Sequence, residues 1–188
     1  MANNLGRVLH DLDDLDGARA AYERALQIGE AALGAGHRNV ARYVNNLGSV
    51  LQDQGDLQGA KAAFERALQI DVANFGPDHP NIATYLNNLG HLLQESGDLA
   101  GARAAGERAL QIGEAALGPE HLHVGIMHAS LGKTLQALGE LEAAKVEFEK
   151  ALGIFEQGYP AGHENIQKVR DDLEAVEGAM RKVRGESE

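Results

Sequence analysis

The stretch that decides the fold is PNIATYLNNLG, residues 80–90. Its tail, Asn-Asn-Leu-Gly, occurs at 3–6, 45–48 and 87–90, and as Ala-Ser-Leu-Gly at 129–132. Each step is 42 residues. On this period, segments 3–44 and 87–128 agree at 26 of 42 positions, and segments 3–44 and 45–86 at 25. Identity at a fixed interval of this size marks a chain of repeated supersecondary units. The repeats expected are 3–44, 45–86, 87–128 and 129–162 of a single domain spanning 1–188.

Inside a repeat the apolar period is helical. Val40, Tyr43, Val44, Leu47, Val50 and Leu51 recur at spacings of three and four. The segment QGDL, 54–57, interrupts them, with Gly55 suited to a left-handed helix end and Asp56 to an N-cap. A second stripe follows at Ala60, Ala63, Phe64, Ala67, Leu68 and Ile70, and ends at Gly76. Pro80 then suits the first turn of the next helix. No stretch alternates with period two, so no sheet is expected. The pattern predicts helices near 3–12, 15–33, 38–54, 57–75, 80–96, 99–117, 122–138, 141–157 and 163–184.

Composition narrows the function. The chain has 188 residues, 44% hydrophobic and only 4% aromatic, which suits closely packed helices. It has no cysteine, so disulfides and thiol chemistry are excluded. No apolar run approaches a membrane span and no signal-peptide pattern opens the chain, so a cytoplasmic location is expected. A net charge of −11 argues against nucleic acid and anionic membranes, and favours basic over acidic charged ligands.

The pattern Val44-x2-Leu47-Gly48-x2-Leu51, then Ala60-x3-Phe64-x2-Ala67, resembles the tetratricopeptide repeat. The 42-residue period with its Gly-Pro-Asp-His-Pro connector is similar to the repeats of kinesin light chains and of some bacterial and fungal signalling ATPases. The resemblance implies an all-α, right-handed superhelical solenoid of antiparallel helix pairs. It also implies a non-catalytic scaffold that binds a partner protein or peptide along a concave face, without a cofactor. Two alternatives stand beside it. One is a self-assembly element that associates through open repeat ends, and the other a sensor segment of a larger signalling ATPase.

Leu5, Leu47, Leu89 and Leu131 are expected between the two helices of each pair. Gly6, Gly48, Gly90 and Gly132 are expected to let the second helix approach, offsetting the roughly 1 kcal/mol that glycine costs in a helix. Gly106 breaks the pattern Tyr22, Phe64, Phe148, which predicts a local void or a compensating shift of a neighbouring helix, and a gain in stability on Gly106→Phe. The chain begins inside the first helix of a pair, which reads as a fragment of a larger protein. Residues 163–184 keep the core stripe Ile166, Val169, Leu173 and Val176. They also carry Arg170, Glu174 and Glu177, and so read as a solvating cap with a frayed tail.

Other chemistry is weak. His37, His79, His121 and His163 lie one repeat apart, so they do not converge on one metal and read instead as helix-start or packing residues. DLDDLDG, 11–17, fails the calcium-loop spacing and reads as an inter-helix turn with Asp13 in place of glycine. No phosphate-binding glycine loop is present. Arg19–Glu23, Lys61–Glu65, Arg103–Glu107 and Lys145–Glu149 are i, i+4 pairs of a solvated face.

By the resemblance, first helices line the concave face. Its residues are then Asn3, Asn4, Arg7 and His10 in the first repeat, and Arg42, Asn45, Asn46, Ser49, Gln52 and Asp53 in the second. Thr84, Asn87, Asn88, His91, Gln94 and Glu95 follow in the third, and Ile126, Lys133 and Gln136 in the fourth. Asn46 and Asn88 stand where the family often hydrogen-bonds a peptide backbone, so their amides are expected to face the groove uncovered. The family's carboxylate clamp is not recognisable here.

Overall fold

A computed structural model describes residues 2–185. Among them are nine α-helices and no strand: α1 (Ala2–Asp11), α2 (Leu15–Leu33), α3 (Arg38–Asp53), α4 (Leu57–Phe75), α5 (Pro80–Glu95), α6 (Leu99–Leu117), α7 (Leu122–Ala137), α8 (Leu141–Gly158) and α9 (Glu164–Arg184). The expected helices are all present, with ends within about two residues. The tail beyond Gly185 lies outside the described residues. Two compact units divide the chain, Met1–Leu92 and Leu93–Glu188.

Helix boundaries follow the repeated punctuation. Asp14, Asp56 and Asp98 accept from the backbone N–H of Gly17, Gly59 and Gly101 at 2.9–3.0 Å, capping α2, α4 and α6. At the start of α8 Glu140 replaces the aspartate, and no side-chain cap bond forms. The histidines do the same work for the first helices. Nδ1 of His37, His79, His121 and His163 accepts from the N–H two residues on, at 3.1, 3.3, 3.1 and 3.2 Å. The turn glycines Gly55, Gly97 and Gly139 have φ of 80°, 84° and 78°. Asp13 occupies the same turn at φ 62°, a conformation that disfavours a side chain.

In the first unit, α1 packs on α2, α2 on α3 and α3 on α4. Tyr22 and Phe64 are buried, and the glycines opposite them explain why. A Cβ on Gly6 would lie 2.8 Å from the Tyr22 ring, and one on Gly48 would lie 2.8 Å from Phe64. Each ring lies against bare helix backbone, so the glycine of Asn-Asn-Leu-Gly exists to seat an aromatic. Burying each ring stabilises by about 1.5–3 kcal/mol, which exceeds the helix-propensity cost of glycine.

The second unit repeats the device, Gly132 lying 2.8 Å from Phe148 by the same measure. Gly106 has no ring to offer. Its neighbour is Leu131, whose Cδ1 lies 3.3 Å from where a Cβ would stand and which is 5% exposed. Helix α9 packs on α8 and α7, burying Ile166, Val169 and Val176 beside Phe148 and Phe155. Its outward residues Arg170, Asp171 and Glu174 are not buried.

Two substitutions place polar groups in this core. His128 stands where earlier repeats have Val44 and Leu86, and Glu147 where they have Ala63 and Ala105. His128 is 2% exposed and its Nδ1 lies 2.6 Å from Glu147 Oε2. Lys150 Nζ donates to the other carboxylate oxygen at 3.0 Å. Burial would raise the pKa of Glu147, but the hydrogen bonds from His128 and Lys150 outweigh it and hold the carboxyl below its usual range. An ionised carboxylate only accepts, so His128 carries its proton on Nδ1.

Candidate functional site

The first helices are laced side by side through the residues expected to line a groove. In the first unit Asn46 Nδ2 donates to Asn3 Oδ1 at 3.0 Å, and Asn88 Nδ2 donates to Asn45 Oδ1 at 3.0 Å. His10 Nε2 lies 2.5 Å from Asp53 Oδ2, and Gln52 Nε2 donates to His91 Nδ1 at 2.9 Å. In the second unit Thr134 Oγ1 donates to Gln94 Oε1 at 3.3 Å. There too Lys133 Nζ pairs with Asp172 of α9 at 3.6 Å.

These contacts correct one expectation. The amides of Asn46 and Asn88 do not stand uncovered. Both residues are half-buried, and each spends an N–H on the preceding first helix. The repeated Asn-Asn is a relay in which the second asparagine of one repeat donates to the first asparagine of the repeat before. Asn45 is 7% exposed, so its carbonyl oxygen would be costly to bury without this donor. Ser49 bonds its own helix at Asn45 O, 3.5 Å. Asn4, Arg7, Arg42, Thr84 and Ile126 are exposed, whereas Asn87 and Gln136 are half-buried.

A cleft of about 510 Å³ does form within the first unit. It is lined by Arg38, Asn39, Arg42, Asn45 and Asn46 of α3, Phe75 of α4, His79 of the connector, and Asn81, Thr84 and Tyr85 of α5. Four of these, Arg42, Asn45, Asn46 and Thr84, belong to the groove set read from sequence. Arg38, Asn39, Phe75, His79, Asn81 and Tyr85 do not. Phe75 stacks on His79 with centroids 4.3 Å apart and forms one wall. Arg42 lies over the ring of its neighbour Tyr43, 5.7 Å from the centroid.

Behind the lining residue Asn81 lies a buried acid that does not itself line the cleft. Asp71 is 0% exposed, and its Oδ2 accepts from Asn81 Nδ2 at 2.9 Å, while Oδ1 has no protein donor. Burial, with Asp71 beside it, pushes the Tyr85 phenol up, so it stays protonated. The charge that reaches the opening is positive. Arg38 and Arg42 are exposed one helical turn apart, and neither has an ion-pair partner among the described residues. No carboxylate lines the cleft. The preference for basic ligands inferred from net charge does not describe this surface. Its signal was a departure from the repeat: Pro80 and Thr84, then Leu122 and Ile126, stand at the positions of Arg38 and Arg42.

The four histidines are spread over four helix starts. Among the described residues no group of three or more His, Asp or Glu could hold a metal ion. No helix among them is long and apolar enough to cross a membrane.

Helix pairs closed by glycine–aromatic contacts and joined by histidine-capped connectors define a class. The chain belongs to the tetratricopeptide repeat family, whose model matches residues 1–71, 40–115 and 86–157. Its fold is similar to that of BtubC (BKLC) from P. vanneervenii, with a TM-score of 0.80 at 22% identity over 97% of this chain and 71% of that one. It is also similar to a Podospora anserina protein with nearly identical TPR-like repeats. That match has a TM-score of 0.79 at 19% identity, over 98% of this chain and 88% of the other. A single-substitution form of the Podospora anserina protein aligns at 0.74 and 18%, over 97% and 94%. At these identities the likeness is one of fold. No curated protein matches the sequence.

Proposed function

We propose that the chain is a non-catalytic protein-interaction module, and that the cleft between α3 and α5 holds an extended partner segment through an acidic side chain. One observation carries this reading: Arg38 and Arg42 line a cleft of about 510 Å³, unpaired, in a chain of net charge −11. An unpaired guanidinium offers a planar fork that a carboxylate matches with two hydrogen bonds. Thr84 and the second N–H of Asn46 supply neutral donors beside it. Phe75 supplies an apolar wall for a neighbouring side chain. The family's fold supports a binding role, since helix-pair arrays present extended surfaces to partners. A cytoplasmic location fits this reading and the absence of cysteine.

The test is selection of a random short-peptide display library on the immobilised chain. Enrichment of Asp and Glu, lost on a chain carrying Arg38→Glu and Arg42→Glu, supports the reading. Enrichment of basic peptides, or of the same peptides on both chains, contradicts it.

A further inference from the structure

We infer that Asp71 is a positioning residue for the cleft: it turns the Asn81 amide so that its oxygen accepts a backbone N–H of the bound segment. The inference rests on the cleft reading above and adds a second contact to it, made to the segment's main chain. Asn81 Nδ2 donates to Asp71 Oδ2 at 2.9 Å. With its NH2 spent inward on the acid, the amide presents its acceptor, Oδ1, on the other side. Asn81 is exposed and lines the cleft, and its Oδ1 has no donor among the described residues. Without the acid, nothing decides whether the cleft meets the donor end or the acceptor end of this amide.

Asp71 departs from its own repeat. Segments 29–34 and 113–118 both read Gly-Glu-Ala-Ala-Leu-Gly, whereas 71–76 reads Asp-Val-Ala-Asn-Phe-Gly. Three of the changed residues bear on the cleft. Phe75 lines it. Asn74 Nδ2 donates to Gly36 O at 2.8 Å, which ties down the connector leading into Arg38. Asp71 holds Asn81. The end of α4 is thus rebuilt around the cleft, in the one repeat that carries both walls.

Packing does not call for the acid. At the equivalent positions a Cβ on Gly29 would lie 2.9 Å from the Tyr43 ring, and one on Gly113 would lie 2.7 Å from Met127 Sδ. Those glycines seat the side chain of the next first helix on bare backbone. Tyr85 stands at the place of Tyr43 and Met127, and meets a carboxyl instead. Its phenol, kept protonated, faces Asp71, so the acid orders two lining residues at once. Asp71 is 0% exposed and its Oδ1 has no protein donor, an arrangement that costs stability. A residue that costs stability while ordering a binding surface is placed there for function.

Calorimetric titration with the display-selected acidic peptide, beside a thermal melt, tests this. Asp71→Gly, which restores the residue of the other repeats, should melt no lower than the natural chain and bind about tenfold more weakly. Asn81→Ala, a change at an exposed position, should lose about the same, and the two together no more than either alone. Asp71→Asn keeps an acceptor for Asn81 and should recover most of the affinity. Normal binding by Asn81→Ala or by Asp71→Gly overturns the inference. So do losses that add, or an Asp71→Asn chain that binds no better than Asp71→Gly. The chain carrying Arg38→Glu and Arg42→Glu separates this from the cleft reading. If that chain binds normally, or if no peptide is selected, both fall. If it loses the peptide while Asn81→Ala keeps it, only the role of Asp71 falls.

Discussion

Asn88 Nδ2 donates to Asn45 Oδ1 across 3.0 Å, and one repeat earlier Asn46 makes the same bond to Asn3. The relationship ties the most conspicuous repeated residues to the junction between first helices. Asn88→Ala should remove a bond worth about 0.5–1.5 kcal/mol and leave a buried acceptor costing about 1–3 kcal/mol. Urea denaturation checks this. An unchanged midpoint would remove the structural role.

Asp13→Gly should stabilise. Asp13 sits at φ 62°, where the equivalent turn residues Gly55, Gly97 and Gly139 lie at 78–84°. Relief of the left-handed strain is worth about 1–2 kcal/mol per residue, partly offset by the greater freedom of glycine when unfolded. A small rise in Tm is the expected outcome, and a fall would show that the Asp13 side chain supports the turn.

Gly48 and Gly106 should respond differently to alanine. At Gly48 a Cβ meets the Phe64 ring at 2.8 Å and Ala63 Cβ at 3.2 Å, so Gly48→Ala should cost about 1–3 kcal/mol by overpacking. At Gly106 its nearest neighbour is Leu131 Cδ1, 3.3 Å away, the end of a flexible side chain. Gly106→Ala should then be near neutral, because helix propensity returns about 1 kcal/mol. Gly106→Phe should destabilise, against the gain that the repeat pattern alone suggests, because Leu131 Cδ1 stands 3.3 Å from the Cβ position and must give way. Thermal melts of the three variants check the order.

Glu147 makes stability depend on acid. Its carboxyl is held below the usual range in the folded chain, with the hydrogen bonds from His128 and Lys150 outweighing the opposing effect of burial. A depressed carboxyl contributes stability that is complete above its unfolded value of about 4.3 and is lost as pH falls through the folded value. Glu147→Gln should therefore be less stable than the natural chain at pH ~7, with the difference shrinking below pH ~4. A difference independent of pH would show that the carboxylate charge contributes nothing.

Much of this fold is legible in the sequence because its period is strict. The 42-residue identity, the aspartate caps and the turn glycines place the first eight helices, and α9 follows from the retained stripe Ile166, Val169, Leu173 and Val176. The site is less legible, for physical reasons. Spacing along a helix gives the face of Asn46 and Asn88 but not the lateral offset that brings each to the amide of the preceding repeat. His37 and its equivalents can be read as helix-start residues, whereas the acceptor role of Nδ1 needs the extended backbone the structure provides. His128 and Glu147 lie 19 residues apart, and their pairing emerges only when α7 and α8 pack. Phe75 ends α4 and His79 lies in the connector after it, and only the packing of α3, α4 and α5 brings them into one cleft with Arg42.

The central claim separates two neighbouring sets of residues: asparagines that hold the repeats together and arginines that hold the partner. One paired measurement tests it, a thermal melt and a calorimetric titration with the same display-selected acidic peptide. It is made on Asn88→Ala and on Arg38→Glu with Arg42→Glu. The account predicts that Asn88→Ala lowers Tm while the folded molecule keeps its affinity. It predicts that the arginine variant keeps its Tm and loses at least about tenfold in affinity, the scale of a charge-assisted pair. Affinity lost on Asn88→Ala at unchanged Tm, with the arginine variant binding normally, would contradict it.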